Sequence, residues 1–162
     1  IIRRFEKMMQ SDGTVYFLYS RATGQSEAKG AGPSAWGAAA VMSAIDEGLA
    51  GICNTGCGYD EIYFCPRFPV THYRELRYFT GYELSHKTVD LRYVLKENGM
   101  RYRVKSPARL MKCHILLPEG RKVSAVLVNG RAVSYGNSNV ADSRYVDFEI
   151  RPDGVADIEM LF

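Results

Sequence analysis

Val89-Asp90-Leu91-Arg92-Tyr93-Val94-Leu95-Lys96-Glu97-Asn98-Gly99-Met100-Arg101-Tyr102-Arg103-Val104-Lys105 decides the fold of this chain. Val89, Leu91, Tyr93 and Leu95 alternate with Asp90, Arg92 and Val94, and Met100, Tyr102 and Val104 alternate with Arg101, Arg103 and Lys105. Successive side chains of a strand point to opposite faces, so a period of two sends the apolar set to one side and the charged set to the other. Asn98-Gly99 stands between the two runs. Both residues tolerate the positive φ of a tight turn, so the stretch predicts an antiparallel hairpin with one buried and one wet face.

The same pattern recurs downstream. Val123 to Val128 and Ala132 to Tyr135 flank Asn129-Gly130. Val146, Phe148 and Ile150 alternate with Tyr145, Asp147 and Glu149, while Ala156, Ile158, Met160 and Phe162 alternate with Asp157, Glu159 and Leu161; Asp153-Gly154 lies between these runs. Upstream, Glu61 to Cys65 is strand-like and is punctuated by Pro66 and Pro69. Turn signals inside alternating sequence predict about seven or eight short antiparallel strands folded as a β-sandwich.

The N-terminal third has a different character. Ile2, Phe5, Met8 and Met9 have helical spacing, ended by Ser11-Asp12-Gly13; Thr14 to Tyr19 could be extended, and Ser20 to Gly32 is a polar loop. A second helix follows within Gly32 to Ile52, capped by the Ser34 hydroxyl and stopped at Gly48 or Gly51. This helix is apolar on most of its surface and so needs neighbours on most of its surface, which the rest of the sequence hardly supplies. The expected fold class is therefore α+β: a helical segment at 1–52, then an antiparallel β-sandwich at 53–162.

The 162 residues suit one domain, or a small domain plus a piece of another. A hydrophobic fraction of 46% is that of a globular chain, and the net charge of +3 is mild and scattered, which gives no footprint for nucleic acid. The longest apolar run, Ala35 to Met42, is too short to span a bilayer. No signal peptide is visible and the first residue is Ile1, as expected of a processed, truncated or excised chain. Of the four cysteines, Cys53 and Cys57 share a Gly-rich loop in which a bridge is sterically possible, and Cys113 alternates with Met111 and Ile115 as a buried thiol. A zinc set from Cys53, Cys57, Cys65 and His72 lacks a matching second half, which speaks against a metal site.

The candidate functional residues each have a plain alternative. Trp36 is a sugar-stacking platform at a pocket rim or, preferred on packing grounds, a core anchor of the helix start. Glu27 and Lys29 carry binding groups or are solvated loop residues. Asp46 and Glu47 are adjacent on a helix and point about 100° apart, so they make a polar helix end rather than a facing acid–base pair. His72, His86 and His114 have no nucleophile or carboxylate at a triad spacing and suit surface or turn positions. Arg92, Arg101, Arg103 and Lys105 share a sheet face near Tyr73, Tyr78, Tyr82 and Tyr93; acidic neighbours such as Asp90 favour a solvated face over an anion-binding one. A carbohydrate-binding module would instead use Tyr78, Tyr82, Tyr93 and Tyr102 as an exposed row.

The order of three segments resembles the C-terminal end of large bacterial glycosidases and phosphorylases built on an (α/α)6 barrel, among them α-L-rhamnosidase-like and cellobiose-phosphorylase-like enzymes. Gly32-Pro33-Ser34-Ala35-Trp36-Gly37-Ala38-Ala39-Ala40 with Glu47-Gly48-Leu49-Ala50-Gly51-Ile52 looks like a last inner barrel helix and its exit. Gly58-Tyr59-Asp60-Glu61-Ile62-Tyr63-Phe64-Cys65-Pro66-Arg67-Phe68-Pro69 resembles the strand and proline turn that lead into the family's sandwich. Leu117-Pro118-Glu119-Gly120 followed by Val126-Leu127-Val128-Asn129-Gly130-Arg131 resembles a hairpin of that sandwich. The Cys53–Cys57 loop has no counterpart in that pattern.

The resemblance implies part of a carbohydrate-active enzyme, with the sandwich as a structural cap on the barrel. It supplies no catalytic residue, because the family's acid and base lie on earlier barrel segments, and so the chain by itself is expected to be inactive. Ser34 and Trp36 match a position near the barrel mouth and are the candidate substrate-binding residues. The implied partners are a carbohydrate substrate and the remaining barrel, with no nucleic acid and no membrane span. The resemblance implies neither a metal nor an organic cofactor. A polysaccharide-degrading enzyme would favour the periplasm or the exterior.

Overall fold

A computed structural model describes residues 7–8, 13–26 and 32–162. Of the helix expected over Ile2–Met9 only Lys7 and Met8 are described, and both are helical; its end at Ser11–Asp12, and the loop residues Glu27 and Lys29, lie outside the described residues. The chain divides into two units, Ile1–Ile45 and Asp46–Phe162.

In the first unit the segment read as extended makes isolated bridges, Tyr16 with Pro33 and Tyr19 with Ser26. Helix α1 spans Ala35–Asp46, its last residue belonging to the second unit. Ser34 caps it as expected: its Oγ accepts the Gly37 N–H at 2.9 Å, and its carbonyl accepts the Ala38 N–H at 3.0 Å. No residue of α1 is buried, although the sequence AWGAAAVMSAID is mostly apolar. The helix stops at Asp46, ahead of both glycines read as its end. The carbonyls that follow are taken by Arg67, whose guanidinium donates to Gly48 O at 3.0 Å and whose N–H donates to Leu49 O at 2.9 Å.

The second unit contains eleven strands among the described residues: β1 (Ile52–Asn54), β2 (Glu61–Phe64), β3 (Glu75–Tyr82), β4 (Lys87–Lys96), β5 (Gly99–Lys105), β6 (Leu110–Leu116), β7 (Ala125–Val128), β8 (Arg131–Ala132), β9 (Gly136–Val140), β10 (Ser143–Ile150) and β11 (Val155–Leu161). They form two sheets, in the orders β1-β2-β6-β10-β9 and β3-β4-β5-β11-β7-β8. The mostly antiparallel, sandwich-like architecture is the expected one. The count exceeds the expected seven or eight because three strands went unread: β1 is very short, the alternation of β3 is broken by the outward Phe79, and β9, Gly136-Asn137-Ser138-Asn139-Val140, has no apolar alternation to reveal it. One pairing departs from the antiparallel expectation: β2 runs parallel to β6, with Glu61 opposite Leu110.

Two of the three turn signals act differently from their sequence reading. Asn129 (φ 49°) and Gly130 (φ 76°) make the expected tight turn from β7 to β8. Between β4 and β5 the two loop residues are Glu97 and Asn98, because Gly99 already pairs with Lys96. Glycine is needed at 99 for close approach: a Cβ there would sit 2.5 Å from Met160 O on β11. Asp153-Gly154 is no hairpin turn, since it carries the chain from β10 in the first sheet to β11 in the second. A hairpin turn that the sequence did not signal joins β9 to β10, with Ala141 at φ 50° and Val140 opposite Ser143.

The core is the apolar halves of these strands. Val89, Leu91, Tyr93, Tyr102, Ile158 and Met160 of the second sheet are fully buried, as are Phe64, Met111, Ile115 and Val146 of the first. Aromatic rings link the sheets: Phe64 lies edge-on to Tyr102 with centroids 5.6 Å apart, Tyr102 lies 5.0 Å from Tyr93, and Tyr93 lies 5.4 Å from Phe68.

Candidate functional site

The two residues expected to touch substrate lie in the first unit. Ser34 has its oxygen engaged by the helix amide at Gly37. Trp36 is not the core anchor that packing considerations preferred. It stands 79% exposed in the first turn of a helix without buried residues, its ring tilted against Phe17 at 6.3 Å. The carboxylate of Asp46 accepts a hydrogen bond from the Tyr78 hydroxyl; burial, reinforced by that carboxylate, pushes the Tyr78 phenol well above its ordinary range. Asp46 is thus a bound helix-end group, as read.

The loop over 55–60 is held by its own polar groups. Asp60 accepts the Cys57 N–H at 2.6 Å and pairs with Arg109 at 2.9 Å, while Asn54 accepts the Tyr59 N–H at 3.0 Å. This geometry leaves Cys57 exposed and puts Cys53 beside a different thiol, that of Cys65, with sulfurs 3.9 Å apart. The bridge imagined between Cys53 and Cys57 is therefore replaced by a proximity between β1 and the residue that follows β2. All four cysteines are free thiols, and burial pushes Cys113 far above the ordinary thiol range.

The outer face of the second sheet gathers Arg77, Arg92, Arg101, Arg103 and Lys105, the basic face seen in the alternation. Acidic neighbours answer it. Arg77 pairs with Asp90 at 2.9 Å, Arg92 with Glu75 at 2.6 Å, and Arg101 with Asp157. The aromatic row proposed for a carbohydrate-binding module does not form. Tyr93 and Tyr102 are fully buried and Tyr78 is half-buried, because they belong to the inward set; only Tyr82 of that row is exposed, stacked 5.0 Å from Tyr59.

The Arg101–Asp157 pair has a pH consequence. The hydrogen bond from Arg101 is the largest influence holding the Asp157 carboxyl below its ordinary value. A folded-state value below the unfolded one adds stability above the usual carboxylate range, near pH 4, and that stability is lost as pH falls through the folded value. Solvent around the half-exposed arginine keeps the effect under about 1 kcal/mol. The thermal midpoint of the parent should therefore fall more steeply between neutral and acid pH than that of Arg101→Gln. Identical acid slopes for the two proteins would rule the linkage out.

A polar cluster lies on the outer face of the first sheet, where β6, β10 and β9 run side by side. His114 stands opposite Asp147, and Tyr145 stands opposite Ser138. His114 Nδ1 meets Asp147 Oδ1 at 2.6 Å, and Ser138 Oγ donates to the other oxygen of Asp147. The imidazole is sandwiched between Tyr145, at 4.0 Å and nearly parallel, and Tyr63, at 6.1 Å. Sequence analysis gave His114 a surface or turn position; it stands on the polar face of β6, with its ring half-buried in this stack. His72 and His86 are exposed as expected, and His86 sits in a turn at φ 52°.

The order of groups decides what this cluster can do. A serine hydrolase needs the histidine between the hydroxyl and the carboxylate, so that the imidazole takes the hydroxyl proton. Here the carboxylate sits between them, and the hydroxyl gives its hydrogen to Asp147 instead. The arrangement ties three strands together and orients a histidine; it does not activate a nucleophile. Its sequence signal was the shared polar register of Tyr145-Asp147 with Lys112-His114, legible only once β6 is known to pair with β10.

Among the described residues, no helix is long and apolar enough to cross a membrane. No family model matches the chain, and no curated protein matches it. Among solved structures it is similar to an α-L-rhamnosidase from Dictyoglumus thermophilum, at 15% sequence identity and a TM-score of 0.52. The match covers 76% of this chain and 14% of that one, so the chain spans a small part of the enzyme's length. At this identity the likeness is one of fold.

Proposed function

We propose that the chain is the C-terminal part of a carbohydrate-active enzyme, with the helical end of an α/α barrel at 1–52 and a non-catalytic sandwich at 53–162 that caps the barrel. The observation that carries this reading is the fold shared with a segment of an α-L-rhamnosidase over 76% of the chain. The helix α1 supports it. Twelve mostly apolar residues with none buried are what the last helix of a barrel presents when its neighbours lie in other sequence. Trp36 and Ser34, at the start of that helix, would then line the barrel mouth beside bound sugar. The carboxylates of the second unit suit a capping role: Asp46, Asp60, Asp90, Asp147 and Asp157 are each engaged by a protein partner.

Two measurements test the reading. The coding frame upstream of Ile1 should continue into a long helical segment; a start codon directly before Ile1 would sink it. The chain alone should turn over none of a panel of aryl glycosides that includes an α-L-rhamnoside, and turnover above a heat-denatured control would place catalysis in this chain instead.

A further inference from the structure

At one edge of the sandwich the exit of β6, the segment before β7 and the β9–β10 hairpin meet. The Leu117 N–H donates to Arg144 O at 2.9 Å, the Arg121 N–H closes a turn on Pro118 O at 3.1 Å, and the Tyr135 hydroxyl donates to Val123 O at 3.2 Å. These bonds hold open a cleft of about 360 Å³, lined by Arg121, Lys122 and Arg144 together with Asn137, Asn139 and Tyr145. No carboxylate lines it; Glu119 and Asp142 stand in the flanking turns outside its lining. Two clefts on the outer face of the other sheet, about 540 and 290 Å³, are also basic, but Glu75 lines both and Asp90 one of them. There Arg77, Arg92 and Arg101 are ion-paired, and Arg103 and Lys105, which are not, stand opposite Asp157 and Asp90; no ion pair among the described residues includes Arg121, Lys122 or Arg144.

We infer that this edge cleft binds an acidic oligosaccharide, one that carries carboxylate or sulfate groups on its sugars, an inference that rests on the carbohydrate reading above. Guanidinium groups pair with planar or tetrahedral oxyanions through forked hydrogen bonds, and Lys122 adds a third cation. The Asn137 and Asn139 amides carry both donors and acceptors, which is what sugar hydroxyls require. Single-stranded nucleic acid, the other polyanion, would need an open aromatic face for its bases. The ring at this cleft, Tyr145, is 8% exposed and already stacked on His114 at 4.0 Å.

The test is titration of the full chain at low salt with four probes: polygalacturonate for carboxylate, heparin for sulfate, dextran as a neutral glycan and a single-stranded oligonucleotide. Saturable binding to polygalacturonate or heparin is expected, and whichever of the two binds names the anionic group. Arg121→Gln with Arg144→Gln should weaken it about tenfold, the loss expected for two charge-assisted contacts at an exposed cleft. Arg103→Gln with Lys105→Gln removes the same charge from the other sheet and should leave binding near the parent level, with thermal midpoints of both variants showing that they fold. Equal loss in the two double variants, dextran binding as tight as the acidic glycans, tighter binding of the oligonucleotide, or no binding to either acidic glycan would each overturn the proposal. The coding-frame test is independent of all four outcomes, so the two readings fail separately.

Discussion

Gly51→Ala is expected to cost the sandwich about 3 kcal/mol, through backbone strain and a clash that no rotamer change relieves. Gly51 adopts φ 66°, and a Cβ there would lie 2.1 Å from the Cys65 carbonyl carbon and 2.3 Å from both its oxygen and Pro66 N. All three are main-chain atoms, held by the Cys65 N–H bond to Gly51 O at 2.8 Å. Relief would require β1 to leave β2, and with it Ile52 and Phe64, both buried in the core. A thermal midpoint lowered by roughly 10 °C is the expected readout. Gly120→Ala is the control, because Gly120 has φ 74° with nothing within 4 Å of the added carbon. It should cost only the conformational penalty, about 1 kcal/mol. Equal losses at the two sites would show that the close approach at Gly51 is unimportant.

Phe64→Ala should be at least as severe, about 3–5 kcal/mol by the usual cost of emptying an aromatic site in a core. Phe64 is fully buried on β2, with Ile52 opposite it on one side and Cys113 on the other. Its ring also lies edge-on to Tyr102 of the other sheet, at an interplanar angle of 88°. Deleting it removes both a filled volume and an aromatic contact between the layers. Phe64→Leu keeps most of the volume and should recover more than half of the loss in urea midpoint. Phe79→Ala, at a site 65% exposed on the outward set of β3, should cost little. If Phe64→Ala were no worse than Phe79→Ala, the assignment of inner and outer faces would be wrong.

Those faces were legible because alternation is local. Val89 to Val104 named its own inward set, and Tyr93 and Tyr102 are as buried as their register demanded. The same logic, followed consistently, argued against Tyr93 and Tyr102 as exposed sugar platforms. What stayed hidden depends on partners distant in sequence. Asp153-Gly154 looks like a hairpin turn, but whether a turn returns to the same sheet is decided by packing beyond it. The parallel pairing of β2 with β6 brings Tyr63 against His114 across a long intervening sequence, and the Ser138–Asp147–His114 cluster needs three strands in register at once. Gly99 was noticed for the wrong reason: its value lies in the approach of Met160, a residue that no local window includes. Trp36 was misjudged because the general tendency of aromatic rings to pack was applied to a helix that buries none of its residues.

The place of β11 bears on how the protein is made. It lies between β5 and β7, so the strand latest in chain order is interior to its sheet, paired with seven residues of β5 on one side and four of β7 on the other. During synthesis, β4 and β5 can pair as soon as they leave the ribosome, but β7 and β8 have no place to dock until Val155–Leu161 follow them out. From the emergence of β7 and β8 until that of β11 the second sheet therefore remains two separate ribbons with open edges, completed only by a closing insertion, and in this interval a chaperone has the most to protect.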